Sequence, residues 1–359
     1  MRRLPIYFLV DVSESMVGQP IEEVQNGMRT IIQDLRVDPY ALETVFVSIL
    51  AFAGKAKTLS AFPAEEDKTL SKLTELSKFY PPTFPIGGGT SLGAGMNYLM
   101  DCLEHDIQKT TMEAKGDWKP IIFLFTDGTP TDDYLAAFQR WNDKHRRRCN
   151  LVTISIGDNV NTSILGQLTE NVLLLKKTDK ESFQQFFRWI TATIKATSQS
   201  VGEQNSDEIQ LPATAGINLE KANPNEIKCI DENFAVVMGK CQTTNKPYLI
   251  KYARKSGNSE NVENLFMDGF RLVGAYPIDE KQYQELSDGR NIGENINTNQ
   301  LYGRPACPCC GNQLGFVICE CGNIFCAGEN ANDHCPWCGM HGELSSVGEG
   351  GIDVSRTQG

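Results

Sequence analysis

Across the first 200 residues, short apolar runs alternate with stretches whose apolar residues recur every three to four positions. Residues 6–10 form an apolar run that ends in Asp11, and residues 44–52 and 151–156 read as strands. Residues 121–125 are continuously apolar, which predicts a strand buried on both faces. Residues 172–175 add a short strand. Helical spacing covers residues 21–35, 92–103, 134–146 and 182–195. Strand–helix alternation of this kind predicts an α/β, Rossmann-like domain over residues 1–197, with a mainly parallel sheet between helices. The pattern then changes. Residues 198–211 are polar and read as a linker, and residues 212–300 carry weak strand signals, expected to form a small β-rich region. Within it, residues 234–241 and 248–252 flank a turn-like stretch and predict a hairpin. Residues 301–341 hold a cysteine cluster, expected as a zinc-ribbon or RING-like domain, and residues 342–359 read as a flexible Gly- and Ser-rich tail.

Composition narrows the classes of function. The chain has 359 residues, 40% hydrophobic and 22% charged, which fits a globular protein of more than one domain. Pro5 interrupts the N-terminal apolar run, and no cleavage-site pattern follows it, so a cytoplasmic home is expected. The formal charge of −11 is uneven, with 12 Lys/Arg against 21 Asp/Glu in residues 201–359. That half repels phosphate backbones, so no nucleic-acid partner is expected, and no apolar stretch approaches the roughly 20 residues that span a bilayer, so no membrane is expected either. The basic run Lys144-His145-Arg146-Arg147-Arg148 follows a helical pattern and complements a helix C-terminus.

Three polar loops share one chemistry. Asp11-Val12-Ser13-Glu14-Ser15 follows the first strand, Gly87-Gly88-Gly89-Thr90-Ser91 precedes a helix, and Thr126-Asp127-Gly128 follows the buried strand. In an open parallel sheet all three fall beyond the carboxyl ends of the strands, where ligands bind. Asp11, Ser13, Ser15, Thr90 and Asp127 offer two carboxylates and three hydroxyls, an oxygen-only set suited to Mg²⁺ or Mn²⁺. Any one of them would serve as a helix N-cap; the five in this order point to a cation. These residues resemble the metal-ion-dependent adhesion site of von Willebrand factor A domains, over roughly residues 4–197. The resemblance implies that the serines coordinate the ion directly, the aspartates directly or through water, and that a partner's Asp or Glu fills the open position. No catalytic residue is expected. The glycine-rich loop lacks the Gly-Lys-Ser/Thr ending of a phosphate-binding loop, and His105 and His145 fall on helical patterns away from the loops.

Eight of the 12 cysteines lie between Cys307 and Cys338, in Cys-x-x-Cys-Gly at 307–311 and 335–339 and Cys-x-Cys-Gly at 319–322. Reduced cysteines at this density point to zinc, held by Cys307, Cys310, Cys319, Cys321, Cys326, His334, Cys335 and Cys338 around two ions. Which four surround each ion is open at this stage. Cys309 is left over, His341 can replace His334, and a single ion on Cys307, Cys310, Cys335 and Cys338 is the alternative. Cys102, Cys149, Cys229 and Cys241 read as scattered small core residues.

The pairing of the two sites resembles the tellurium-resistance (Ter) family proteins that join an N-terminal von Willebrand A domain to a C-terminal cysteine-rich metal-binding domain. That domain typically has seven cysteines and one histidine. The resemblance implies a non-enzymatic scaffold or adaptor in bacterial tellurite resistance or stress response, with a protein kinase and a metal-dependent Ser/Thr phosphatase as partners. The alternative is direct handling of a metal or oxyanion by the C-terminal thiols.

Overall fold

The structure, a computed structural model, describes residues 2–61, 73–127, 129–156, 162–175, 180–203, 219–221, 234–254, 269–289, 295–328, 334–341 and 350–357. Residues 204–211 of the expected linker, much of residues 212–300, Cys229 and residues 342–349 of the tail lie outside the described residues. By contacts the chain forms two units, one of residues 1–12, 19–84 and 90–230, the other of residues 13–18, 85–89 and 231–359. None of the described helices is long and apolar enough to cross a membrane.

The first unit is a sheet between helices. Its strands are β1 (Leu4–Asp11), β2 (Val45–Phe52), β3 (Ala56–Leu59), β4 (Thr74–Glu75), β5 (Ile121–Thr126), β6 (Asn150–Ile156), β7 (Val172–Leu175) and β8 (Leu219–Lys221). The helices are α1 (Gln19–Arg36), α2 (Pro39–Thr44), α3 (Leu92–Asp106), α4 (Leu135–Lys144), α5 (Thr162–Gly166) and α6 (Lys180–Glu203). The order is β3-β2-β1-β5-β6-β7-β8, with β4 also on β2. β2, β1, β5, β6 and β7 run parallel; β3, β4 and β8 pair antiparallel. Every residue of β1 and β5 is buried, because helices cover both faces. Tyr7 and Leu9 pack with residues of α3 and α4, while Phe8 stacks on Phe123, and Phe125 meets Phe186 and Phe187 of α6.

The expected linker begins too early. α6 runs on to Glu203, through a polar stretch in which Thr193, Thr197 and Ser198 donate to carbonyls one turn back. Those bonds let small polar side chains be buried in a helix, so polarity there does not mark its end.

The second unit merges what the sequence divides. It holds β9 (Phe234–Lys240), β10 (Pro247–Arg254), β11 (Phe270–Pro277), α7 (Glu280–Leu286), β12 (Asn295–Asn297), β13 (Leu301–Tyr302), β14 (Leu314–Ile318), β15 (Ile324–Ala327) and β16 (Asp353–Ser355). β9 and β10 form the expected hairpin. One six-stranded sheet, β13-β11-β10-β9-β15-β14, joins the β-rich stretch to the cysteine cluster. A single core of Tyr248, Ile250, Tyr252, Phe316 and Ile324 underlies both. The end of the chain is also built in. β16 pairs with β12, Val354 is buried, and Arg356 donates to the Phe234 carbonyl. A Gly- and Ser-rich approach hid this short strand, whose single apolar anchor lies within three residues.

Candidate functional site

The three polar loops emerge where the sequence places them, and hydrogen bonds lock their bases. Val12 N–H donates to the Phe52 carbonyl and Ser91 N–H to the Ala53 carbonyl, tying two loops to the end of β2. Asp11 is fully buried at the end of β1 and accepts from Thr126 Oγ1 at 2.7 Å. Thr126 is the neighbour of Asp127, itself 6% exposed. Thr90 and Thr131 are zipped together, Thr90 N–H donating to Thr131 Oγ1 at 3.0 Å and Thr131 N–H to the Thr90 carbonyl at 2.8 Å. Ser13 and Ser15, the two serines of the first loop, are buried with their hydroxyl oxygens 3.0 Å apart.

This donor set fits a hard cation. Neighbouring ligands of an octahedral Mg²⁺ with bonds of ~2.1 Å lie about 3.0 Å apart, which is the Ser13–Ser15 separation. Buried carboxylates also need compensating positive charge, and Asp11 and Asp127 sit in two of the loops. Ser91 Oγ and Thr129 Oγ1, in the second and third loops, are buried hydroxyls without a hydrogen-bond partner among the described residues. Water on a hydrated cation is the kind of partner such hydroxyls require.

Asp132, which follows the third loop, caps α3: its carboxylate accepts from Gly93 N–H at 3.2 Å and Ala94 N–H at 2.9 Å, holding the helix start just after Thr90. A cap supplied from 38 or 39 residues away leaves no local sequence signal. His105 contacts Asp106, and His145 contacts Glu104 at the far end of α3.

Sulfur forms two groups of four. Cys241, Cys307, Cys310 and Cys326 make one, and Cys319, Cys321, Cys335 and Cys338 the other, with all sulfurs of a group within 4.8 Å of one another. Resolved pairs are Cys310–Cys326 at 3.7 Å, Cys319–Cys338 at 3.6 Å and Cys321–Cys335 at 3.8 Å. A tetrahedron with Zn–S bonds of ~2.3 Å has edges of about 3.8 Å, so the spacing fits zinc and is far beyond a disulfide. Seven of the eight expected ligands are brought together in these groups. His334 belongs to neither: its backbone bridges His341, and the two rings lie 5.5 Å apart. Cys241, which sequence reading places among core cysteines, stands in the fourth position. Cys309 is half-buried and outside both groups.

The turns explain how the sulfurs converge. In each of three knuckles a glycine with positive φ follows the last cysteine, namely Gly311 (81°), Gly322 (83°) and Gly339 (77°). Gly311 and Gly339 N–H donate to the carbonyl of the first cysteine, as Gly322 does to Cys319. Cys241 sits in a fourth turn of the same shape. Asn245 has φ 55° and donates N–H to the Cys241 carbonyl, while Thr244 N–H points at Cys241 Sγ from 3.3 Å. Asn takes the left-handed position that glycine holds elsewhere, so the cysteine–glycine signature is missing from the sequence. Burial raises the thiols of Cys326 and Cys319, to about 11 and about 12. At Cys321 burial is outweighed by donors from Asn323, which bring it down to about 7. Protons crowded this way are the ones a metal displaces.

The arrangement is that of an α/β adhesion-type cation site joined to a cysteine-ligated metal domain. The family model of the von Willebrand factor type A domain matches residues 6–189, and that of the TerY-C metal binding domain matches residues 231–359. The chain belongs to the von Willebrand factor type A family and carries a TerY-C metal binding domain after it. Among curated relatives it is similar to inter-alpha-trypsin inhibitor heavy chain H1 of Bos taurus, at 23% identity over 45% of this chain and 17% of that one. The corresponding heavy chain H6 of Homo sapiens is 22% identical over 46% and 12%. The chain thus spans less than a fifth of the length of these relatives. Similar solved structures include proximal thread matrix protein 1 from the mussel byssus with a zinc-occupied MIDAS motif (16% identity, 54% of this chain and 48% of that one, TM-score 0.37). Another is the ArnB paralog VWA2 from Sulfolobus acidocaldarius (14% identity, 71% and 61%, TM-score 0.37).

Proposed function

We propose that the protein is a non-enzymatic, cytoplasmic, Mg²⁺- or Mn²⁺-dependent interaction scaffold. Asp11, Ser13, Ser15, Thr90 and Asp127 hold the ion, and an Asp or Glu of a partner protein completes its coordination. The observation that carries this reading is the Ser13–Ser15 oxygen pair at 3.0 Å on the loop that begins with the buried Asp11. Neutral hydroxyls leave the cation under-neutralised and receptive to an anionic ligand. Two zinc ions on the two four-cysteine groups serve a structural role, because a full thiolate shell leaves no open position. We further propose, from the likeness to the Ter family, that the scaffold acts in tellurite resistance or stress signalling, with a protein kinase and a metal-dependent Ser/Thr phosphatase as partners. Capture from cell extract in Mg²⁺ buffer tests it: wild type should retain specific proteins that Asp127→Ala loses at unchanged zinc content. Equal capture by both would refute the adhesion reading.

Cys309 favours a second reading, direct oxyanion handling, because its thiol stands outside both groups of four. Titration of the zinc-loaded protein with a thiol reagent decides it. An unreactive Cys309 removes this reading.

A further inference from the structure

Residues 13–18 and 85–89 belong by contacts to the second unit, with residues 231–359. Within that unit Lys251, from the middle of β10, is 3% exposed. It donates to the carbonyls of Ser15 and Val17, the latter at 3.3 Å, and lies 4.5 Å from the Phe234 ring. Glu14, between the two serines, is fully buried and accepts a hydrogen bond from Tyr283 Oη of α7. Val17 packs with Val236, Leu249 and Ile278. A Cβ on Gly18 would come within 2.6 Å of the Tyr276 ring, and one on Gly88 within 2.8 Å of Tyr283 Oη. Gly88 N–H donates to Ser287 Oγ at 2.8 Å.

A buried ammonium is costly unless carbonyls or carboxylates take its protons. Spending two such bonds on one short loop fixes that loop's backbone on either side of Ser15. We propose that Lys251 and Tyr283 are positioning residues for the adhesion-site cation. By holding the Ser15 and Val17 carbonyls and the Glu14 carboxylate, they fix the Ser13 and Ser15 hydroxyls at the separation an octahedral ion accepts. They do so without being ligands themselves. This inference rests on the adhesion-site reading above.

Charge alone makes the opposite forecast, which gives the test its direction. An ammonium near a cation repels it, so on electrostatics alone replacing Lys251 by a neutral residue would tighten binding. Positioning requires the reverse. Mn²⁺ binding to the full chain, read by electron paramagnetic resonance, compares wild type with Lys251→Met, Lys251→Arg and Tyr283→Phe. Zinc content and far-ultraviolet dichroism confirm that each variant is folded. Lys251→Met should weaken Mn²⁺ binding by about tenfold or more and broaden the spectrum, as loss of an outer-shell partner does. Lys251→Arg should recover most of that loss, and Tyr283→Phe should weaken binding in the same direction. If Lys251→Met unfolds the protein, Tyr283→Phe decides by the same readout, since it removes only one hydroxyl. Unchanged or tighter binding in the folded variants overturns the proposal and leaves the adhesion site standing. A wild type that binds no Mn²⁺ overturns both.

Discussion

His145 is a buried imidazole stacked on Trp141 at 5.9 Å, with Nε2 3.2 Å from a Glu104 carboxylate oxygen. Burial lowers its pKa below the ordinary value more than Glu104 raises it. The unfolded chain therefore takes up this proton at a higher pH than the folded one does. Stability from the neutral ring is present at pH well above the unfolded value of about 6.5 and is lost as pH falls through the window just below it. The urea midpoint should drop between about pH 7.5 and pH 5.5, and His145→Gln should shrink that drop. An equal drop in the variant would assign the acid sensitivity to other groups. At the sulfur sites, one residue separates the sequence expectation from the geometry. Cys241→Ser should reduce zinc content from two ions towards one, and His334→Ala should leave it at two, as measured by metal analysis of the purified protein. The reverse result would restore the histidine as a ligand.

Elements are where the hydrophobic pattern speaks most directly. The apolar run at residues 121–125 announces β5 to within a residue, because a strand covered on both faces is filled mainly by apolar side chains. The periodic stretches that become α1, α3 and α4 are legible for the related reason that one face of each is buried. β3 and β4 are not legible: they are two to four residues long, half-buried, and exist through pairing with β2. Packing between helices adds what no pattern shows. A Cβ on Gly27 of α1 would stand 1.9 Å from the Phe187 ring of α6, so that glycine is the contact point of the two helices. Gly27→Ala should therefore lower stability by about 1–3 kcal/mol despite alanine's better helix propensity, visible as a reduced thermal midpoint. A raised midpoint would mean that Phe187 moves aside freely.

At the scale of the whole molecule, the second unit is a sheet whose strands come from widely separated stretches, tied together by sulfur. The β9–β10 hairpin, the 307–310 knuckle and β15 meet at one group of four cysteines. Metal binding of this kind contributes folding free energy directly. Stripping zinc with a chelator should accelerate hydrogen exchange in β9 and β10 while β1 and β5 keep their protection. Undiminished protection in β9 would show that the sulfur groups do not support the sheet.

Local spacing along the chain encodes the alternation that builds the first unit, the order of Asp11, Ser13, Ser15, Thr90 and Asp127 in three polar loops, and three knuckles marked by glycine. The tertiary structure alone decided the fourth sulfur of the first group. β15 lies parallel to β9 with Ile324 opposite Gly239 and Phe325 opposite Lys240, and one step further along that register come Cys326 and Cys241. It likewise decided that Lys251 meets the loop of Ser15, more than 230 residues away in the chain. Backbone pairing over such separations depends on which strands find each other after collapse, and nothing in the neighbourhood of Cys241 or Lys251 records it.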